Sequence, residues 1–82
     1  MISKHFEYEN SIDITINLVS GEKEPLKAVS KISIHLRMNG EFHIIVSHVR
    51  DGQPIEYRGI ITENEFLRIK GFSKELNTGV LQ

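Results

Sequence analysis

The chain has 82 residues, with 10 lysines and arginines against 11 aspartates and glutamates, and it contains no cysteine. This length fits one domain with a small core, so we expect residues 1–82 to form a single domain. The lack of cysteine excludes disulfides, thiolate nucleophiles and Cys-based metal sites. No apolar run approaches the roughly 18 residues of a membrane span, and the first residues lack the apolar stretch of a secretory signal. We therefore expect a cytoplasmic protein without membrane contact.

The first part of the chain alternates apolar and polar residues with a period of two. The apolar side chains occupy even-numbered positions: Phe6, Tyr8, Ile12, Ile14, Ile16 and Leu18. This pattern predicts one long strand, bent near Asn10-Ser11, with one face in the core and an acidic face in solvent. Residues 20–25 break the alternation and predict a polar loop.

A second alternating run sets its core-facing residues at Ile32, Ile34 and Leu36, with Lys31, Ser33, His35 and Arg37 on the other face. A two-residue turn at Asn39-Gly40 would pair Leu36 with His43 and mix the two faces. A three-residue loop that ends on a left-handed Gly40 keeps the apolar residues together. It pairs Leu36 with Phe42, Ile34 with Ile44, Ile32 with Val46 and, on the outer face, His35 with His43.

The last two elements follow from a turn and a helix start. A two-residue turn at Asp51-Gly52 pairs Val46 with Tyr57 and His48 with Ile55. Residues 62–65 then form a capping box, in which the Thr62 hydroxyl and the Glu65 carboxylate each satisfy a backbone donor. We favour a helix that continues past Gly71, because it then offers an apolar stripe of Phe66, Ile69, Phe72 and Leu76.

Together these elements predict an α+β fold: a four-stranded antiparallel β-meander, tight from about Ala28 to Ile61, followed by one C-terminal helix (ββββα). Four strands span about 19 Å, whereas one helix covers about 10 Å. Half of the apolar face would stay uncovered, and the simplest cover is a second copy of the chain. We therefore expect a homodimer.

The predicted register gathers one notable set of residues on the outer face: Lys31, His35, Arg37, His43 and Arg58. As a metal site this set lacks an assured third ligand, and as an acid–base site it lacks a nucleophile, so we expect no metal, no cofactor and no enzyme activity. A basic strip that tracks phosphates fits it, as does an ordinary solvated sheet face. The outer apolar residues Ile45, Val49 and Ile60 equally suit a protein partner or a second subunit.

The segment from Arg58 to Phe66, read with the meander-then-helix order, resembles the single-stranded DNA-binding transcriptional coactivators of the positive cofactor four family. The match lies in a basic residue and Gly-Ile before the helix, then Ile61-Thr62 and an acidic turn that ends in Phe66. The resemblance covers about residues 31–76. The purine-rich-element-binding repeat shares the sheet-then-helix layout and remains an alternative.

The resemblance implies a non-enzymatic homodimer joined largely through its helices, with β-ridges that bind single-stranded DNA. By position, Lys31, Arg37 and Arg58 would contact phosphates. The leading hypothesis is thus a dimeric module that binds single-stranded nucleic acid, such as a transcription or replication accessory protein. The alternative is a protein-interaction module, an inhibitor or adaptor, that uses its exposed sheet and helix surface.

Overall fold

The computed structural model describes the backbone of residues 2–76 and the side chains of residues 3–72. The elements are β1 (Ile2–Asn17), β2 (Lys23–Leu36), β3 (Phe42–Arg50), β4 (Gln53–Ile61) and α1 (Glu63–Leu76). The strands form one antiparallel sheet in the order β1-β2-β3-β4. The predicted α+β fold, a four-stranded antiparallel meander followed by one helix, is confirmed. Within this described part of the chain, no helix has the length and apolar character needed to cross a membrane.

Both turns of the meander have the predicted types. At the β2–β3 turn, Arg37 N donates to Glu41 O at 2.8 Å and Gly40 has a left-handed φ of 87°. At the β3–β4 turn, Asp51 and Gly52 have φ values of 53° and 76°, as a type I′ turn requires. The predicted pairs follow: Leu36 with Phe42, Ile34 with Ile44, Ile32 with Val46, Val46 with Tyr57 and His48 with Ile55.

The hairpin of β1 and β2 is long and bends in its middle. Its register shifts between Glu7 and Ile12, a stretch that contains Asn10-Ser11, where the sequence predicts a bend. A second irregularity lies at Ala28, which has a left-handed φ of 54° and donates its N–H to Asp13 Oδ1 at 3.1 Å. Extra residues on one strand bend an antiparallel pair and increase its twist.

The bend carries the tip of this hairpin to β4, at the other end of the strand order. Val19 N donates to Ile60 O at 2.9 Å. Leu18 lies so close to Gly59 that a Cβ added there would be 2.9 Å from Leu18 Cδ2. The sheet thereby curls around a core of buried apolar residues: Tyr8, Ile14, Ile16, Leu26, Val29, Ile32, Ile34, Ile44, Val46, Ile61 and Ile69.

The curled hairpin corrects two expectations. The helix does not cover the apolar face alone, because the far half of the hairpin, with Ile16 fully buried, covers much of the rest. An uncovered face therefore no longer supports the homodimer. The predicted polar loop at residues 20–25 is also too long, since β2 already begins at Lys23 and pairs Pro25 with Thr15. Leu18 N donates to Glu22 O, so Leu18 and Glu22 form a hydrogen-bonded pair of the ladder. Because hydrogen-bonded and non-hydrogen-bonded pairs alternate, the nitrogen of Pro25 points away from β1. The N–H that proline lacks is therefore not needed for pairing with β1.

The helix is anchored to β1 through Glu65, whose side chain is 5% exposed. The expected capping box is only half correct. Thr62 Oγ1 accepts from Glu65 N at 3.1 Å, but the Glu65 carboxylate bonds to other groups. It accepts from Asn17 N at 2.9 Å and from Arg68 Nη2 at 2.6 Å. Two partners on the sheet and the helix draw the carboxylate away from the helix start.

The helix continues past Gly71 to Leu76, as favoured from the sequence. Of its predicted apolar stripe, Ile69 is fully buried, and Phe66 stacks on Phe42 with ring centroids 5.0 Å apart. The Leu76 side chain lies outside the described residues. The helix therefore contacts Asn17 of β1 and Phe42 of β3, and its apolar residues Phe66, Ile69 and Phe72 pack against the core.

Two glycines should respond to alanine with opposite signs. Gly59→Ala should lower the free energy of unfolding by about 1 kcal/mol, because the new methyl group displaces Leu18. Gly71→Ala, on an exposed helix position with open space, should raise it by about 0.5–1 kcal/mol. Urea denaturation followed by circular dichroism measures both. Equal stabilisation by the two changes would contradict the packing of the hairpin tip on β4.

Glu65 should make stability depend on pH. Burial raises the pKa of this carboxyl, but the hydrogen bonds from Arg68 and Asn17 outweigh it and lower the pKa below its usual range. A lowered folded-state pKa adds stability that is complete above the unfolded value of about 4.3 and is lost as pH falls through the folded value. Glu65→Gln should therefore cost about 2 kcal/mol at pH 7 and much less in acid.

The matched control for this prediction is Glu63→Gln in the exposed first turn of the helix. It removes only a favourable interaction with the helix dipole, worth about 0.5 kcal/mol. Denaturation of the three proteins between acid and neutral pH makes the comparison. A cost for Glu65→Gln that does not change with pH would show that the carboxylate charge is not what anchors the helix.

Candidate nucleic-acid interface

The outer face of the sheet is ordered in rows that cross all four strands. The first row reads Ser3, His35, His43 and Ile60 from β1 to β4. The second reads His5, Ser33, Ile45 and Arg58, and the third reads Glu7, Lys31, Ser47 and Glu56. The predicted juxtaposition of His35 and His43 is confirmed, and the rows bring a third histidine onto the same face.

An open groove of about 530 Å³ crosses this face between β2 and β4. The side chains of His35, Arg37, His43 and Arg58 border it, and Ile45 and Ile60 contribute apolar surface. Four of the five predicted site residues therefore meet at one groove. The fifth, Lys31, is not among the lining residues and lies two positions along β2 from Ser33, opposite Ser47.

His5 and His35 are held by a reciprocal pair of serine contacts. His35 Nδ1 lies 2.8 Å from Ser3 Oγ, and His5 Nδ1 lies 2.9 Å from Ser33 Oγ. The two rings meet edge to face with centroids 5.8 Å apart. In both pairs the Nδ1 atom is engaged, so each ring keeps its Nε2 atom for another contact.

His5 is the site residue that sequence reasoning missed. The signal was present: Ser3-Lys4-His5 and Ser33-Ile34-His35 are two copies of the same spacing. When two such segments pair antiparallel with a serine opposite a histidine, each serine lies opposite the histidine of the other segment. This pairing follows only from the β1–β2 register, and the sequence does not predict that register because the hairpin is bent.

Acidic residues balance the groove's cations. His43 Nε2 donates to Glu41 Oε1 at 3.1 Å, and Arg58 Nη2 donates to Glu56 Oε1 at 2.7 Å. The hydrogen bond from His43, followed by that from Asn39, lowers the pKa of the Glu41 carboxyl, which keeps this acid ionised. Within the described residues, Lys31 and Arg37 form no ion pair. These two cations are therefore the ones most available to an anionic ligand.

The outer face supplies several kinds of group that can contact a ligand. Among the described residues, no group of three or more His, Cys, Asp or Glu side chains is placed to hold a metal ion. Ser3 and Ser33 contact His35 and His5, and within the described part of the chain no carboxylate bonds to either ring to orient it as a base. Cations, imidazole edges and apolar surface are groups that contact phosphates and bases.

No family model, curated protein or solved structure matches this chain. The assignment of a function therefore depends on the geometry and charge of the outer face.

The two serine contacts should contribute different amounts to the free energy of unfolding. Ser33 is buried, so Ser33→Ala should lower the free energy of unfolding by about 1 kcal/mol by leaving His5 Nδ1 without its partner. Ser3→Ala removes a solvent-exposed contact and should cost less than half as much. Chemical denaturation of both variants measures the difference. Equal costs would show that the burial of Ser33 adds nothing to the strength of its contact with His5.

Proposed function

We propose that this chain is a non-enzymatic module that binds single-stranded nucleic acid through the groove on its outer face. The observation that carries the proposal is the meeting of Arg37, Arg58, His35 and His43 at one groove. That groove lies on the face opposite the helix and the curled hairpin, so a ligand reaches it without opening the core. The resemblance of residues 31–76 to the positive cofactor four coactivators supports the same ligand.

The proposed contacts divide between phosphates and bases. Arg37 and Lys31, which have no described ion pair, bind phosphates directly. Arg58 exchanges its contact with Glu56 for a phosphate, at little cost because both side chains are more than half exposed. Bases pack on the histidine rings and on Ile45 and Ile60, since imidazole and apolar side chains accept stacked bases.

The wider proposal is a cytoplasmic homodimer that serves transcription or replication as an accessory protein. Because Glu41 and Glu56 neutralise part of the groove's positive charge, we expect weak, micromolar-range binding. Nucleic acid remains the favoured ligand over a protein because Arg37 and Arg58 border the groove's apolar surface. A second candidate, an inhibitor or adaptor function, draws support from Val49 and Ile55, which are 42% and 39% exposed near the β3–β4 turn.

Titration of labelled single strands at several salt concentrations tests the proposal. Three phosphate contacts predict a slope of log K against log salt of about −2, because each contact to a single strand contributes about −0.7. Arg37→Ala should weaken binding and reduce the slope by about 0.7. Glu56→Gln should tighten binding, because it frees Arg58 and removes a negative charge.

The matched control is Arg50→Ala, since Arg50 lies at the far end of β3 beside Gln53 and outside the groove. This variant should bind as the unchanged chain does. Absence of binding at low salt, or equal losses in Arg37→Ala and Arg50→Ala, would overturn the proposal. A defined protein partner whose binding ignores Arg37→Ala would favour the adaptor function instead.

A further inference from the structure

The side of β1 that faces away from β2 has two halves, and they differ in whether other residues bond to their backbone groups. In the far half, Asn17 N donates to Glu65 Oε2 at 2.9 Å and Thr15 O accepts from Arg68 Nη2 at 2.7 Å. Just beyond, Val19 N donates to Ile60 O. The helix and β4 thus satisfy backbone groups on this half of the edge. In the first half, at residues 3–7, no described residue bonds to the backbone groups of the edge in this way.

The ladder pattern fixes which groups of the first half point outward. Arg37 and Glu41 are a hydrogen-bonded pair, so even-numbered residues of β2 turn their backbone groups towards β1. The residues opposite them in β1 are also even-numbered. The N–H and C=O groups of Ser3, His5 and Glu7 therefore point away from β2. No residue in the described part of the chain bonds to them.

We propose that a second copy of the chain pairs with this segment, antiparallel and about a two-fold axis at Phe6. Outward-pointing residues must face one another, so the axis lies on one residue between positions 4 and 7. An axis on Lys4, His5 or Glu7 sets that side chain against its own copy, and like groups directly opposite are destabilising.

An axis at Phe6 avoids every such clash. It sets His5 opposite Glu7 of the partner copy twice, which pairs an acid with a base on the outer face. On the other face it sets the two Phe6 rings opposite each other in a non-hydrogen-bonded pair, where side chains approach most closely. Phe6 is only half-buried in the single chain, so this contact covers apolar surface that is exposed to water.

The same fold explains why the assembly stops at two copies. The outer edge of β4 carries Pro54, which has no N–H to donate, and Ile60, whose carbonyl is already bonded to Val19. A blocked edge does not propagate pairing, so within the described sheet the β1 edge is the one that pairs, and the assembly closes as a dimer. The two outer faces join into one surface about 38 Å wide, with both copies of His5 at the join.

This inference rests on the homodimer of the proposed function and locates its interface, independently of nucleic-acid binding. Sedimentation equilibrium of the full chain gives the dimer dissociation constant. His5→Pro removes an outward N–H without touching the β1–β2 ladder and should raise that constant at least tenfold. The matched control is Glu56→Pro, whose N–H points outward on the β4 edge and should leave the constant unchanged.

A charge exchange tests the axis without proline. Glu7→Lys and His5→Glu should each weaken the dimer several-fold, because each leaves like or unmatched groups opposite each other. The double variant restores an acid opposite a base and should recover most of the affinity. Recovery supports the axis at Phe6.

Two results would overturn the interface. One is a chain that stays monomeric up to roughly 100 μM, which also removes the homodimer. The other is a dimer unchanged by His5→Pro and by Glu7→Lys, which keeps the homodimer and rejects this edge. Titration of single strands is a separate measurement. If no single strand bound, the nucleic-acid ligand would be rejected, whereas the proposed dimer interface would be unaffected.

Discussion

The bend in the β1–β2 hairpin brings the hairpin tip onto β4 and so makes an enclosed core possible. A straight hairpin of this length would leave the far half of β1 projecting from the sheet. Extra residues after Glu7 and the left-handed Ala28 turn that half back over the core, where Val19 reaches Ile60 and Glu65 reaches Asn17. The bend thereby lets a chain of only 82 residues enclose a core, and among the described residues neither the helix nor the hairpin tip covers the opposite face of the sheet.

Because the outer face of the sheet lies outside the core, its side chains can contact a ligand. Its residues are not needed to close the core, yet Ser33 is buried and holds His5, and His35 is held by Ser3. Fixed imidazole rings lose less entropy when a ligand arrives than mobile ones would. Glu41 and Glu56 moderate the charge of the same surface. The outer face thus combines positioned rings with restrained positive charge, a balance that suits reversible binding.

Local chemistry predicted most of the meander. The need to keep apolar residues on one face selected the three-residue loop at Gly40 and the two-residue turn at Asp51-Gly52. The loop at Gly40 sets His35 opposite His43. The sequence could not predict contacts between distant segments. The tip of the hairpin on Gly59 and the withdrawal of Glu65 from its capping box depend on how β1 folds back. His5 escaped prediction for the same reason, since its partner on β2 is fixed only by that register.

Amide chemical shifts recorded during titration with a short single-stranded oligonucleotide show where the ligand binds. If the outer-face groove is the binding site, the largest changes fall at the amides of Arg37, His43, Arg58 and their neighbours on β3 and β4. Changes confined to the helix or to the exposed end of the β3–β4 hairpin would contradict it. Such changes would place the ligand on a surface outside the groove.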